Sequence, residues 1–456
     1  PDGVGPLTAG DIVDFIRGDT SKSVDGSPGG TFRNRNDPLG DVVHSAPIYF
    51  KGMVYVGAND GMLHGLDAST GAELFAYVPN LVYDHLSELA DQSYSHKFYV
   101  DGTATAAKVS SSRDVLVCGL GKGGKGYFAL DVTNPTAMDA TDVLWEYSAS
   151  AANDPDLGYT FGRAFIVNTE AYGSVVIFSN GYDSANGSAV LYVLDPVTGA
   201  VIKKFVTGVT GCNGLATPAA VDVELDGNVD YVFAGDLKGN MWKFDLRGTS
   251  TSDWNFGYED SGAPKPLVSV TNLNGDFQPI TTPPEVMLDC ASDGDVRGLM
   301  VIFGTGQYLN VDDLSNESVQ SFYGIWDRGP LIEDTDGLTE ARASYLGTFD
   351  PATDALSNMP SGITLLEQVF DVLTIGAEFG ALSDRPAYWY DEAAHSGTHV
   401  GWYWDMPVTG ERMINNPLLR GGHVILISTD PSSSPCESGG TSFINIVNAC
   451  TGGRPY

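Results

Sequence analysis

The residues best placed to do chemistry lie in mid-chain, in the run DVELDGNVD (222–230). Oxygen-bearing side chains fall at every second position, Asp222, Glu224 and Asp226, and are followed by Gly227, Asn228 and Asp230. This is the order of the first nine positions of an EF-hand-type loop, where side chains at positions 1, 3 and 5, a carbonyl at 7 and an oxygen at 9 surround the ion. The glycine at position 6 permits the sharp bend that turns the later ligands inward. Four carboxylates within nine residues repel one another unless a cation neutralises them, and a flexible ring of oxygens suits calcium better than the smaller magnesium. The expected site is one Ca2+ held by Asp222, Glu224, Asp226, Asn228 and Asp230. The loop departs from the full motif at position 12, where Phe233 stands in place of a bidentate glutamate, and a strand-like YVFAGD follows where a helix would. That departure bears on affinity. The plainer alternative is an acidic turn between two strands.

Other chemistry is thinly supported. NLNGD (272–276) and DCASDGD (289–295) carry too few regularly spaced ligands and read as solvated turns. His395 and His399 are four residues apart, but HSGTH is loop-like, so a zinc-binding helix is not expected. GLGKGGKG (119–126) lacks the terminal Lys-Ser/Thr pair of a phosphate cradle and reads as a hairpin turn. The cysteines at 118, 212, 290, 436 and 450 show no CxxC spacing, which removes zinc-knuckle and haem-attachment readings. Cys118, in VLVCGL, reads as a buried strand residue; Cys212 and Cys290 lie in loop-like sequence, and Cys436 and Cys450 flank a short segment. Two disulfides with one buried thiol are expected of a secreted chain, with reduced thiols the alternative. Arg17, Gly18 and Asp19 form an RGD triplet that could engage a host receptor or could simply be part of the fold. No Ser, His and Asp set can be assembled from spacing, and no enzyme activity is expected.

These residues need a scaffold. At 456 residues the chain is either several domains or one architecture that grows by repetition. Repetition is visible. Six times a strand start is followed by an apolar strand, a glycine turn and a second strand often ending in Asp, as in VYVGANDGMLHGLDASTGAELFAYV (54–78), VLVCGLGKGGKGYFALDV (115–132) and YVFAGDLKGNMWKFDL (231–246). Each unit has the size of one four-stranded propeller blade. The turns LDASTG and LDPVTG put an acceptor side chain where a tight turn needs one. An ambiguous stretch at 331–410 contains GWYWDMPVTGERMI (401–414), which looks like a further strand pair. The expected fold is all-β, a modified seven-bladed β-propeller spanning 1–456, with six or eight blades as alternatives. It has a lead-in segment (1–40) and an insertion between blades (331–400), within which 338–370 has mixed helical and loop character. Little helix is expected beyond a short one near 80–92. Against 24 Lys+Arg stand 58 Asp+Glu, a net charge of −34, which argues against nucleic acid and anionic membranes. No apolar run approaches the roughly 20 residues that span a bilayer, so a soluble chain without a transmembrane segment is expected. The opening PDGVGP reads as a mature product or part of a longer protein.

Many of these runs, in order, resemble a known family. FIRGDTSKS…TFRNRNDPLGDVVHSAPIYF, VYVGANDGMLHGLDASTGAELFAYVPN, GLGKGGKGYFALDVTNP, DYVFAGDLKGNMWKFDL, GTGQYL, QSFYGIWD and GERMINNPLLRGG are similar to the C-terminal domain of PilY-type type IV pilus adhesins. The resemblance implies a modified seven-bladed, quinoprotein-like propeller with a single calcium, mapping here onto Asp222, Glu224, Asp226, Asn228 and Asp230. It further implies a place at the pilus tip and outer cell surface, reached through the periplasm. The implied partners are minor pilins and a host or abiotic surface. The implied roles are pilus assembly against retraction, twitching motility and attachment. The alternatives are a quinoprotein-like dehydrogenase, for which no adjacent cysteine pair or haem motif is present, and a passive periplasmic propeller scaffold.

Overall fold

The computed structural model describes residues 8–26, 30–150, 152–288, 290, 298–329, 345–372, 381–390, 396–431 and 440–455. The chain folds into two compact units, one of residues 1–167, 174–206 and 210–214, the other of 168–173, 207–209 and 215–456.

Up to Val206 the strands form three four-stranded sheets, each in sequential order. Sheet 1 is β1 (Ile48–Phe50), β2 (Met53–Gly57), β3 (Leu63–Asp67) and β4 (Glu73–Tyr77); sheet 2 is β5 (Thr105–Ser110), β6 (Arg113–Gly119), β7 (Gly126–Asp131) and β8 (Val143–Ser148). Sheet 3 is β9 (Phe165–Thr169), β10 (Gly173–Ser179), β11 (Val190–Leu194) and β12 (Val201–Val206). The middle strands read as continuous apolar runs because both faces are covered, and the two-residue period of a strand divides their side chains between two cores. In sheet 2, Leu116, Cys118, Phe128 and Leu130 pack with Tyr55 and Leu63 of sheet 1. Their neighbours Val115, Val117, Tyr127 and Ala129 pack with Phe178 and Tyr192 of sheet 3. The turns behave as their sequences suggest: Asp67 Oδ1 accepts from the Ser69 and Thr70 N–H groups at 3.0 and 2.8 Å, and Asp195 Oδ1 from Val197 and Thr198 at 2.9 and 2.7 Å.

The second unit repeats the scheme. Sheet 4 comprises β13 (Ala219–Val221), β14 (Tyr231–Gly235), β15 (Asn240–Asp245) and β16 (Asn255–Phe256). A fifth contains Glu285–Leu288, Leu299–Gly304, Ser321–Asp327 and His399–Asp405, and a sixth is built around His423–Asp430, flanked by Thr441–Asn448 on one side and by Arg412–Met413 and Leu418–Arg420 on the other. Leu299, Val301 and Phe303 face the core shared with sheet 4, whereas Met300 and Ile302 face the core shared with the sixth sheet. Six such sets of strands are present among the described residues, the fourth and fifth joined through Val268–Ser269 and the strands of 347–367 into one continuous sheet.

Four expectations need correction. The run 401–414 is no separate strand pair: His399–Asp405 completes the fifth sheet beside Ser321–Asp327, and Arg412–Met413 joins the sixth. The described part of 338–370 is not helical; it forms the strands Gly347–Asp350, Ala355–Leu356 and Thr364–Glu367, and Leu346, Phe349, Leu356 and Leu365 are core residues. Burial of those apolar side chains selects strands that can pair with sheet edges. A helix not expected from the sequence, α1 (Ala9–Ile16), is capped by Thr8, whose hydroxyl accepts from Asp11 N–H while Asp11 accepts from Thr8 N–H. Cys290 is bonded to Cys450 (Cα–Cα 5.2 Å), but Cys212 is a free, exposed thiol, and Cys436 lies outside the described residues. Cys118 is buried as expected, and burial pushes its thiol up to about 12, which keeps it protonated and unreactive. The short helix near 80–92 is found as Tyr83–Leu86 between two single 3-10 turns. No helix of the described residues is long and apolar enough to cross a membrane.

Candidate metal centre

Loop 222–230 closes the hairpin between β13 and β14, whose antiparallel register pairs Val221 with Tyr231. Asp230 N–H donates to the Val221 carbonyl at 2.9 Å, and the Asp230 carbonyl accepts from Leu246 N–H at 2.8 Å, so the loop leaves from a fixed backbone. Val223 and Val229 are buried and anchor its two ends, while the tip, 224–227, is exposed. The chain doubles back by two left-handed residues, Leu225 (φ 59°) and Gly227 (φ 92°). Glycine carries that conformation without a Cβ penalty; leucine does not.

The five expected ligands divide into two groups. Asp222 and Asp226 hold the backbone: Asp222 Oδ1 and Oδ2 accept from the Asp226 and Gly227 N–H groups at 3.2 and 2.8 Å, and Asp226 Oδ1 accepts from Asn228 N–H at 2.7 Å. Asn228 Nδ2 also donates to Asp226 Oδ2 at 3.0 Å. The Asn228 backbone and side-chain bonds hold Asp226 below its ordinary range. Asp230 stands apart from these two, near Glu224 and Asp222 and within the field of the Arg247 guanidinium. Asp230 is half-buried and accepts from Val223 N–H at 2.7 Å. Burial nevertheless raises its pKa, and the nearby charges of Glu224 and Asp222 push the same way. A carboxylate desolvated beside two others is a place where a cation is stabilising. The donor set is all oxygen, as a hard divalent cation requires. Among the described residues no three His, Cys, Asp or Glu side chains are gathered into a finished cage.

The remaining candidates fall elsewhere. Asn272 Oδ1 accepts from the Asn274 and Asp276 N–H groups, so NLNGD is a side-chain-stabilised turn; most of 289–295 lies outside the described residues. His399 opens a strand and accepts Tyr388 N–H on Nδ1, and burial lowers its pKa, so it is neutral; His395 lies outside the described residues. Gly121–Gly123 turns β6 into β7. The RGD triplet terminates α1. Arg17 is the C-cap, Gly18 takes φ 105°, and the Gly18 and Asp19 N–H groups return to the Phe15 and Asp14 carbonyls. Asp19 then accepts from Ser21 N–H at 2.7 Å.

Comparison with known proteins decides the lineage. The family model described as the PilY1 beta-propeller domain matches residues 42–341, well over half of the chain. The chain belongs to this family. Its sheets are accordingly blades of a β-propeller. A type IV pilus biogenesis factor PilY1 homolog of Xylella fastidiosa (strain Temecula1) is 35% identical over 98% of this chain and 32% of its own length. The type IV pilus biogenesis factor PilY1 of Pseudomonas aeruginosa (strain UCBPP-PA14) is 34% identical over 97% of this chain and 41% of its own length. The chain thus spans between about a third and two fifths of these curated PilY1 relatives. The crystal structure of the P. aeruginosa PilY1 C-terminal domain superposes with a TM-score of 0.68 at 32% identity, covering 88% of this chain and 80% of that one.

Proposed function

We propose that this chain is a calcium-binding propeller of a type IV pilus biogenesis factor, acting at the pilus tip or outer cell surface rather than as an enzyme. The observation that carries the reading is Asp230, half-buried with its pKa raised by burial and by Glu224 and Asp222. Asp222 and Asp226 already shape the loop through its backbone amides. The ion would draw Glu224, Asp230 and Asn228 around it and remove the repulsion among the carboxylates. Because a ligand shifts an equilibrium only by its differential affinity, calcium acts here by favouring the closed loop over looser ion-free forms.

The names of the relatives support a role in pilus biogenesis. From that role we infer minor pilins and an attachment surface as partners, and assembly against retraction, twitching motility and adhesion as outcomes. Seven blades remain our proposal for the ring, with the short antiparallel strands of 347–367 as material for a seventh.

Two measurements test the reading together. Calorimetric titration with Ca2+ is expected to show one site in the wild-type chain and none in Asp230→Ala, with the fold retained because the other sheets keep their own cores. Surface pili are then counted in cells whose full-length protein carries Asp230→Ala. Unchanged calcium affinity in the variant removes the site. Lost affinity with unchanged piliation leaves a passive scaffold.

A further inference from the structure

The first unit contains a cavity that calcium binding does not use. It measures ≈ 370 Å³, inside the roughly 300–1,000 Å³ range of small-molecule sites. Its walls come from residues 33–37 and 39–41, from Asn59 and Asp60, and from Tyr94 and His96. The floor is a fixed network. Asn59 is 3% exposed and donates its side-chain amide to Asp41 Oδ2 at 3.0 Å, while its own carbonyl oxygen accepts from Tyr99 N–H at 3.0 Å. His96 Nε2 lies 2.8 Å from the same Asp41 oxygen. Asp41 is therefore held by two partners on one oxygen, and half of its side chain still faces solvent.

The charges in the walls restrict what could bind. Two guanidiniums would ordinarily suggest an anion, but each is already engaged with the protein. Arg33 donates Nε to the Leu89 carbonyl and lies over the Tyr94 ring at 4.5 Å, and Arg35 donates to the carbonyls of Phe15, Ile16 and Pro38. Asp37, Asp41 and Asp60 also line the cavity, so its field does not favour an anion. A metal ion is no better served, because Asp60 is spent on the Gly40 and Met62 N–H groups at 2.7 and 3.1 Å. What remains is one pinned, accessible carboxylate, the Asn36 amide, an imidazole and a wall made by Arg33 stacked on Tyr94. A carboxylate accepts from two neighbouring hydroxyls at once, and an amide both donates and accepts.

We propose that this cavity binds a neutral saccharide, with Asp41 accepting from adjacent hydroxyls, Asn59 and His96 positioning it, and the Arg33–Tyr94 stack forming one wall. The proposal is independent of the calcium loop, which belongs to the other unit.

Saturation-transfer NMR on the full chain, with glucose, galactose, mannose and N-acetylglucosamine as probes and sodium sulfate as competitor, tests it. At least one sugar is expected to bind saturably and to be indifferent to sulfate. Asp41→Asn is expected to weaken binding about tenfold, the worth of a charge-assisted hydrogen bond. Asn36→Ala, at an exposed position, is expected to weaken binding without disturbing the fold, so it carries the test even if Asp41→Asn unfolds. Asp230→Ala is expected to bind sugar as the wild type does, whatever happens to its calcium affinity. Absence of binding by all these sugars, binding insensitive to both cavity substitutions, or displacement by sulfate overturns the proposal.

Discussion

Asp230 sets burial against charge, and the direction of its pKa makes that conflict measurable. Folding raises its pKa above the ordinary 3.8, first through burial and then through Glu224 and Asp222. A raised carboxylate contributes stability below its unfolded pKa and loses it as pH climbs through the folded value. The ion-free chain is therefore expected to gain stability from this residue on acidification toward pH 4, while calcium affinity falls over the same window because the ion needs the ionised form. Asp230→Asn separates the two effects. Without calcium the variant should melt at or above the wild-type temperature, since the repulsive charge is gone and an acceptor for Val223 N–H remains; with saturating calcium it should show no further rise. A calcium-dependent rise in its melting temperature would mean that Asp230 is not a ligand. The spacing of oxygens in DVELDGNVD made the candidate residues legible in the sequence. Their division of labour was not, because whether Asp222 and Asp226 point at backbone amides depends on loop dihedrals that no local pattern states.

The loop as an element stores a conflict of its own at Leu225. The residue is 80% exposed and its φ is 59°, so it pays the left-handed penalty and buries little in return. Leu225→Asn is expected to stabilise the chain by about 1 kcal/mol, because asparagine tolerates that region far better; urea denaturation without calcium reads the change, and an unchanged or lower midpoint would contradict it. The sheets were the most legible elements. A run such as VLVCGL is apolar on both faces, and that signature survives because the strand serves two cores. Helix α1 was missed although its signal was present: Thr8 and Asp11 stand three apart before Ile12, Phe15 and Ile16, a capping box with aspartate in place of the usual glutamate. The same helix explains the RGD triplet in part, since Gly18 is the left-handed residue that ends it. The strands of 345–367 escaped notice because their pairing partners lie far along the chain, at Val268–Ser269 and His399–Asp405.

Across the second unit, long-range ties do what local sequence cannot announce. Cys290 and Cys450 are 160 residues apart, and nothing in their flanks names the partner. Less visible still is a buried ion pair between the fourth and fifth strand sets. Lys243 on β15 and Asp327 at the end of Ser321–Asp327 are 3% and 0% exposed, with Nζ 2.6 Å from Oδ2. The Lys243 ammonium lies 3.9 Å from the Tyr231 ring centre, and Tyr258 donates its hydroxyl to Asp327. Removing two charges from water costs several kcal/mol per ion, so the pair is not evidence of stability by itself, but losing one member strands the other. Lys243→Met is accordingly expected to cost about 3–5 kcal/mol, and the double variant Lys243→Met/Asp327→Leu to recover most of that loss. Urea denaturation of the four species gives the coupling. If the double variant is as unstable as the sum of the singles, the pair is two independent packing residues. Recovery would show that each charge is tolerated in that core only beside the other.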